Sequence, residues 1–254
     1  MENSNYQMRK AEAREILPEI DLLPPISYEE KQLDMALFGQ NTYRNNIQNM
    51  QRAYFHSKNL SNISFRPATT SESISAVACN FEDFAKPKIF DPKWLQAGYI
   101  LRTQEGVFVN PLNVQGVPII DEKILKSLLK ADKKSKGIYL LDNGMGFAPY
   151  DSFTRGVQDC DSFAQGGLAR VLEHTQEKEA KHLRAIASPK FYKRGVNVWG
   201  FDDVKEPVLR VVSLGSGGGL GGGLAVDGYW GGYDDGCAFG VLRSREATEP
   251  LQKS

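Results

Sequence analysis

Cys160 is the residue of this sequence best placed to act as a nucleophile. It follows Asp159 at the start of a predicted helix, in the run Asp-Cys-Asp-Ser-Phe-Ala. The positive end of a helix lowers the pKa of a thiol there, and the thiolate is the nucleophilic form. A nucleophile of this kind also requires a general base, which is usually a histidine. The positions of the three histidines therefore decide whether this segment is an active site.

The run around Cys160 resembles the start of the catalytic helix in papain-like peptidases, whose histidine comes from a later strand. The later histidines here, His174 and His182, both lie in a charged run that is predicted to be helical. His174 lies about 20 Å from Cys160 along one continuous helix, which is too far for proton transfer. His56 precedes the cysteine in the chain. We therefore interpret Cys160 as a packed thiol and predict that the protein is not an enzyme.

A glycine-rich segment near the C-terminus contains a Gly-x-Gly-x-x-Gly match at Gly217, Gly219 and Gly222. In nucleotide-binding folds such glycines open a helix whose N-terminus holds the phosphates. The residues that follow here, 224–230, are Leu-Ala-Val-Asp-Gly-Tyr-Trp, which predicts a strand. The context therefore excludes a phosphate-binding loop.

The composition is that of an ordinary soluble protein, with 41% hydrophobic and 24% charged residues in 254. A formal net charge of zero gives no electrostatic basis for a nucleic-acid partner. The three cysteines show neither a disulfide framework nor a metal-binding spacing, so no cofactor is expected. The polar N-terminus does not resemble a signal peptide, and no run reaches the roughly 18 apolar residues of a membrane span. These features predict a cytoplasmic protein of unknown oligomeric state.

The first part of the chain is predicted to form a helical N-terminal region, 1–60. Helix-forming residues at 8–17 end at Pro18. A second helix over 27–38 would begin at Ser27, with Glu30 three residues later as in a capping box. A third is predicted over 45–54.

The remaining residues, 61–254, are predicted to form one α+β domain. A strand at 63–66 precedes a helix that opens with the capping-box sequence Thr69-Thr70-Ser71-Glu72 and continues to Ala78, with Cys79 in the core. A glycine-containing loop between two β-prone runs predicts a hairpin, 98–103 with 107–110. An amphipathic helix is predicted over 121–131. Central or near-central strands are predicted at 138–141, 208–212 and 238–242.

The segment 214–237 combines a few strand-forming residues with an unusual composition at the positions between them. Eleven of the 22 residues from Gly215 to Gly236 are glycine, and the whole segment contains neither lysine nor glutamate. Apolar residues at 224–226 and 229–230 interrupt it as fixed positions. The others come from Gly, Ser, Leu, Asp, Tyr and Cys. Glycine weakens a strand, so a segment needed only for stability would have a different composition.

The residues from Gly195 onward resemble the formylglycine-generating-enzyme subgroup of the C-type lectin fold. The run Gly-Val-Asn-Val-Trp-Gly at 195–200 is similar to the family's Gly-Asn-Val-Trp-Glu-Trp segment. The runs at 208–214 and 238–242 fall where the family has Arg-Val-x-Arg-Gly-Gly-Ser-Trp and a final Val-Gly-Phe-Arg strand. The resemblance covers about the last 60 residues. It implies a C-type-lectin-like fold with the helical N-terminal region packed on it.

One branch of this fold consists of the variable proteins of diversity-generating retroelements, and the chain resembles these proteins in its restricted residue types. In that family, template adenines are randomised during reverse transcription, and the copy replaces the 3′ end of the gene. Asparagine-type codons changed at their adenines give Gly, Ser, Tyr, Asp, Leu or Cys, but not Lys, Glu, Gln, Met or Trp. The resemblance thus implies a hypervariable surface that binds an unknown protein or other macromolecule. The residues it implies are Ser216, Gly217, Gly218, Gly219, Leu220, Gly221, Asp227, Tyr229, Gly231, Tyr233, Asp234, Asp235 and Cys237.

This assignment predicts which residues of the segment are exposed and which are buried. The variable residues should form one contiguous exposed patch. Strand alternation predicts that Leu224 and Val226 face inward while Ala225 and Asp227 face outward. Trp199 and Phe239 should be buried in the framework.

Three alternatives stay open at the level of the sequence. A formylglycine-generating oxidase would need a close pair of cysteines near the C-terminus to hold copper, and only Cys237 lies there. A structural subunit of a particle or surface layer is compatible with the neutral charge. An ordinary glycine-rich surface loop would explain the composition without diversification.

Overall fold

A large mixed sheet with helices against it forms the α+β fold of the chain. The structure, a computed structural model, describes residues 20–52, 64–83, 94–111, 137–141, 144–217, 222–230 and 235–243. The predicted helices over 8–17 and 121–131 lie outside these residues. None of the described helices is long and apolar enough to cross a bilayer.

The N-terminal part of the chain contributes strands where a helix was predicted over 27–38. The strands are β1 (Ile20–Leu22), β2 (Ile26–Tyr28), β3 (Lys31–Leu33) and β4 (Met35–Asn41). Strands β2 and β3 form a hairpin, and its turn residues Glu29 and Glu30 have φ angles of 45° and 63°. Positive φ at both turn positions is the geometry of a tight hairpin and breaks a helix. The prediction of a helix over 27–38 is therefore wrong.

Helix α1 (Tyr43–Arg52) follows β4 and agrees with the helix predicted over 45–54. Strand β5 (Ser64–Pro67) and helix α2 (Thr70–Cys79) also agree with the sequence prediction. The capping box of α2 is complete, because Thr69 Oγ1 accepts from the Glu72 N–H at 3.2 Å and the Thr69 N–H donates to Glu72 Oε2 at 2.8 Å. Cys79, predicted to be in the core, is exposed at the end of this helix.

The predicted hairpin forms from β6 (Trp94–Arg102) and β7 (Gly106–Val109), which pair antiparallel. The strand predicted at 138–141 is the short β8 (Tyr139–Leu140), which pairs with β9 (Gly146–Pro149). Among the described residues β9 is its only neighbour, so β8 is peripheral rather than near-central. Strand β10 (Gly156–Gln158) follows a short 3₁₀ turn.

Three short helices separate β10 from the last four strands. They are α3 (Cys160–Gln165), α4 (Gly167–Leu172) and α5 (Lys181–Ile186). The strands are β11 (Val196–Trp199), β12 (Val208–Gly217), β13 (Gly223–Trp230) and β14 (Gly236–Arg243). The chain is thus β-rich after residue 188, as the sequence predicts.

The strands of the large sheet run in the order β1-β4-β14-β6-β12-β13-β11-β10, with β5 also paired to β14 and β7 to β6. Strands β12 and β14 are central, because β12 lies between β6 and β13, and β14 between β4 and β6. This confirms the strands predicted at 208–212 and 238–242. Residues 20–41 belong to the same sheet through β4, so this part of the predicted helical region is neither helical nor separate from the sheet.

Each face of the sheet carries a hydrophobic core. The larger core, formed with helices α2 to α5, includes Ile74, Leu183, Leu214, Val226 and Phe239. The smaller core lies under α1 and includes Phe38, Tyr43, Met50, Phe65 and Val211. Phe239 is buried as predicted. Strand residues with apolar neighbours on both faces lose the alternation that identifies a half-exposed strand.

Candidate functional site

The glycine-rich segment is built on three strands, with its central part in β13. Strand β13 is antiparallel to β12 and parallel to β11. Residues 218–221 connect β12 to β13, and residues 231–234 connect β13 to β14, which lies beyond β12 and β6. The two connections therefore leave opposite ends of β13, roughly 23 Å apart for an eight-residue strand.

Several glycines of the segment pack closely against residues outside it and are therefore part of the framework, not of the variable positions. A Cβ on Gly215 would lie 2.6 Å from Cε3 of Trp94, and one on Gly228 would lie 2.7 Å from Cε1 of Phe201. A Cβ on Gly236 would lie 2.8 Å from the carbonyl oxygen of Trp94. Real Cβ atoms do not approach neighbours so closely, so these positions require glycine. The sequence could not show this, because both aromatic partners lie outside the segment.

The start of β14 is held by the N-terminal part of the chain. The buried amide of Asn46, on α1, donates from Nδ2 to the carbonyl oxygen of Gly236 at 2.9 Å and to Gln96 Oε1 at 3.0 Å. The same nitrogen lies 3.2 Å from the carbonyl oxygen of Asn41, at the end of β4. Asn46 therefore joins β4, β6 and β14 where the second connection ends.

Two residues of the predicted surface are buried. Asp227 is 1% exposed, and its Oδ1 accepts from the Tyr229 N–H at 2.7 Å. Cys237 is 0% exposed and lies beside Leu95, where β14 runs parallel to β6. Both lie in strands whose two faces are covered, so the prediction that they are exposed is wrong. Leu224 and Val226 are buried as predicted, but Ala225, which was predicted to face outward, is buried on the opposite face, so that prediction is wrong too.

The remaining described residues of the predicted surface do not share one face. The register from Ser213 opposite Asp227 to Ser216 opposite Leu224 is uninterrupted. Because side chains alternate, Ser216 faces away from the side that carries Asp227. The Ser216 hydroxyl lies 2.9 Å from that of Tyr192, on the side of the larger core. The single outward row expected from the sequence is therefore wrong for the strand residues.

The other described residues of the predicted surface lie at or next to strand ends. Tyr229 is 60% exposed, Asp235 is exposed, and Gly217 is the last residue of β12. The other predicted residues lie outside the described part of the chain: Gly218, Gly219, Leu220, Gly221, Gly231, Tyr233 and Asp234. The connections thus contain most of the predicted surface.

Trp199 is 46% exposed, although the sequence predicted it to be buried. It is the last residue of β11, and the pairing of β10 ends one residue earlier, at Gly156 opposite Val198. Leu209 is also exposed, and the Arg210 guanidinium lies 5.6 Å from the centre of the Tyr229 ring. The exposure of Trp199 and Leu209 could not be predicted from the sequence, because exposure at strand ends depends on which strands are neighbours.

Cys160 is a packed thiol in the structure. It is buried at the start of α3, and its Sγ donates to the carbonyl oxygen of Arg184 at 3.3 Å. Burial raises the pKa of the Cys160 thiol, and the carboxylate of Asp161 raises it further against the charge of Arg184. A depression of about 580 Å³ beside it is lined by charged side chains that pair with one another, with Arg184 Nε 2.8 Å from Asp161 Oδ1. This environment disfavours a reactive thiolate.

Both later histidines have other partners. The assumption of one continuous helix after Cys160 is wrong, because α3 ends at Gln165 and α4 begins at Gly167. His174 Nε2 lies 2.9 Å from the carbonyl oxygen of Leu141, and His182 Nδ1 lies 3.1 Å from Ser75 Oγ. These contacts join the helices to β8 and α2 instead of serving the cysteine.

The described residues contain no group of three or more histidine, cysteine or acidic side chains that could hold a metal ion. The cysteines, all of them within the described ranges, form no disulfide with one another. Comparison of the chain with protein-family models, with curated proteins and with solved structures gives no match.

Proposed function

We propose that the chain is a non-enzymatic binding protein whose C-terminal surface is diversified by adenine-directed retroelement mutagenesis. Its ligand is a protein or another macromolecule. The observation that carries the proposal is the packing of Gly215, Gly228 and Gly236 against residues outside the segment. The strands are thereby held in place by side chains that diversification would not change.

This arrangement suits a surface that tolerates many sequences. Trp94 and Phe201 lie over β12 and β13, and Asn46 and Gln96 hold the start of β14. None of these contacts involves a residue of the connections 218–221 and 231–234. Loops on a rigid scaffold are where binding residues concentrate, and substitutions at exposed sites usually change stability little.

The C-type-lectin-like fold forms part of the same proposal. The three runs that resemble the family lie in β11, β12 and β14, all members of one sheet. The burial of Asp227 and Cys237 narrows the proposed surface to the connections and the residues next to them: Ser216, Gly217, Tyr229, Asp235, 218–221 and 231–234.

A display library tests this function. Positions 218–221, 229 and 231–234 are randomised, and binders are selected against several unrelated proteins. The control library randomises the exposed residues Gln176, Glu177, Lys178, Lys181 and Ala185, which lie on and before α5. We expect binders from the first library only, with melting temperatures close to that of the parent protein. Equal yields from the two libraries, or general loss of folding in the first, would contradict the proposal.

The gene itself provides a second test. We expect an imperfect repeat of its 3′ end that differs mainly at adenines and lies beside a reverse transcriptase gene. A genomic neighbourhood without such a repeat would remove the mechanism of diversification, although a fixed binding surface would still be tested by the library.

A further inference from the structure

The three tryptophans of the chain lie on one face of the large sheet. Trp230 packs against the smaller core, and its ring centre lies 5.3 Å from that of Trp94. Trp199 is opposite Asp227 in the parallel pairing of β11 with β13, and Asp227 alternates with Val226 of the larger core. Paired residues share a face and successive residues alternate, so Trp199 also points away from the larger core. We call the three side chains the tryptophan face.

A row of buried polar side chains crosses the sheet on this same face. Ser213 on β12 is opposite Gln96 on β6 and opposite Asp227 on β13, and all three are buried. The row continues to Trp199, the partner of Asp227 on β11. Hydroxyl, amide and carboxylate groups thus follow one another over three neighbouring strands, with a half-exposed indole at the end of the row.

The indoles of Trp94 and Trp230 meet over the middle of this row. On β12, Trp94 is opposite Gly215 and lies so close to it that a Cβ there would be 2.6 Å from Cε3. Trp230 is opposite Val211, and Ser213 lies between Val211 and Gly215 on the same face. The contact between the two rings therefore falls above Ser213. Both indoles are partly exposed, so each can turn toward solvent about its side-chain torsions.

The polar groups beneath the indoles are oxygens that accept hydrogen bonds. Among the residues that the structure describes, the Ser213 hydroxyl has no hydrogen-bond partner, although it is fully buried. A buried hydroxyl without a partner costs stability that an alanine at the same position would not. The Asp227 carboxylate, on the neighbouring strand, accepts from the Tyr229 N–H through Oδ1 at 2.7 Å. A hydroxyl and a carboxylate below two aromatic rings match a ligand that is cationic and rich in donors.

We propose that the tryptophan face binds a primary ammonium group on an alkyl chain. The ammonium parts the indoles of Trp94 and Trp230 and donates hydrogen bonds to Ser213 Oγ and the Asp227 carboxylate. The indole faces attract the cation, and the alkyl chain lies against the exposed part of Trp199. A free amine or a lysine side chain supplies this chemistry. The site goes beyond the proposed function and does not rest on it, because it takes a small group and needs no diversified connection.

Intrinsic tryptophan emission reports on this face alone, because every tryptophan of the chain lies there. The protein is titrated at pH 7 with pentylamine and with a capped Gly-Lys-Gly peptide. The uncharged controls are pentanol and the same peptide with norleucine in place of lysine. We expect the two cations to change the emission and to shift the indole N–H signals in NMR spectra, with a Kd at least tenfold lower than that of either control.

The two cations identify the source of the ammonium group. Binding of pentylamine without binding of the peptide assigns the site to free amines, and binding of the peptide assigns it to lysine side chains. Equal responses to charged and uncharged ligands, or no response to any of them, would overturn the proposal.

Variants of the polar row test the contacts. Asp227→Asn should raise the Kd of pentylamine about tenfold and Ser213→Ala about fivefold. The matched control, Asp161→Asn, removes an exposed carboxylate on α3 and should leave the Kd unchanged. Ser213→Ala should keep or raise the melting temperature because it removes a hydroxyl without a partner, so it remains informative if Asp227→Asn does not fold. A folded Ser213→Ala protein that binds pentylamine as the parent does would contradict the proposal.

Discussion

At the scale of single residues, the segment contains two kinds of glycine, which the sequence alone does not distinguish. Gly215, Gly228 and Gly236 have aromatic or backbone atoms where a Cβ would stand. The glycines of 218–221 belong to a connection. The division depends on Trp94 and Phe201, both outside the segment, so counting glycines along the segment cannot reveal it.

The first prediction concerns Gly228. Gly228→Ala places a methyl group against the fully buried ring of Phe201, so the ring or the strand must move. Overpacking of this kind costs about 1–3 kcal/mol of unfolding free energy. Urea denaturation measures this loss. The control is Ser216→Ala on the neighbouring strand, whose unfolding free energy should stay within about 1 kcal/mol of that of the parent protein. A neutral Gly228→Ala would show that the glycine is not required by packing.

The second prediction compares Phe239 and Trp199, two aromatic residues that were both predicted from the sequence to be buried. Phe239→Ala removes a buried ring from the larger core and should lower the free energy of unfolding by about 3–5 kcal/mol. Trp199→Ala should cost roughly 1 kcal/mol, because nearly half of that side chain already faces water. Chemical denaturation of the two variants decides the matter, and equal losses would contradict the exposure of Trp199.

At the scale of elements, sequence reasoning succeeded where the deciding contacts are local. Helix α2 begins where its capping box predicts, because both hydrogen bonds lie within four residues of the chain. The prediction failed at 27–38, where Met35 to Phe38 are all buried and the chain pairs with β1 and β14. A short apolar run reads equally well as a helix or as a strand covered on both faces, and distant partners decide between them.

The third prediction is a pH dependence located at the α2 cap. Burial alone would raise the pKa of Glu72, but its hydrogen bonds to Arg66, at 2.6 and 2.7 Å, and the charge of Arg66 lower the pKa overall. The pKa is therefore lower in the folded chain than the roughly 4.3 of an unfolded glutamate. Its contribution to stability is complete above that unfolded pKa and is lost as pH falls through the folded pKa.

Glu72→Gln should accordingly lower stability at neutral pH and have a smaller effect in acid. Denaturant midpoints measured from pH 7 to pH 3 test this, with the exposed Glu206→Gln as the control. A difference between Glu72→Gln and the parent protein that stays constant over this range would show that the ion pair with Arg66 does not titrate as the geometry indicates.

At the scale of the whole molecule, the N-terminal strands complete the sheet. Strand β4 pairs with β14 from Asn41 opposite Gly236 to Met35 opposite Val241, and Asn46 holds the start of β14. Much of this architecture could not be predicted from the sequence, because pairing between residues about 200 positions apart leaves no local pattern. The C-terminal strands could be predicted, since runs such as 208–212 are β-prone throughout.

The fourth prediction follows from that pairing. Residues 61–254 alone should fail to fold, since β14 would lose β4 and expose Phe239 and Val241 near an unpaired edge. The dispersion of amide NMR signals and far-ultraviolet circular dichroism show whether this fragment folds. Adding a peptide of residues 20–52 should restore folding, and a scrambled peptide should not. A well-folded 61–254 fragment would re-establish the boundary at residue 60.

The framework glycines have a consequence at the level of codons. Every glycine codon begins with two guanines, so an adenine can occur only at the third position, where its replacement is silent. The tryptophan codon contains no adenine. If the segment is diversified as proposed, the template repeat should therefore carry glycine codons at the positions of Gly215, Gly228 and Gly236 and the tryptophan codon at that of Trp230, whereas at variable glycines such as Gly218 it should carry codons that contain adenines. Asp227 is the buried exception, because an aspartate codon in the template would contain an adenine, and gene copies that differ there would test the framework itself.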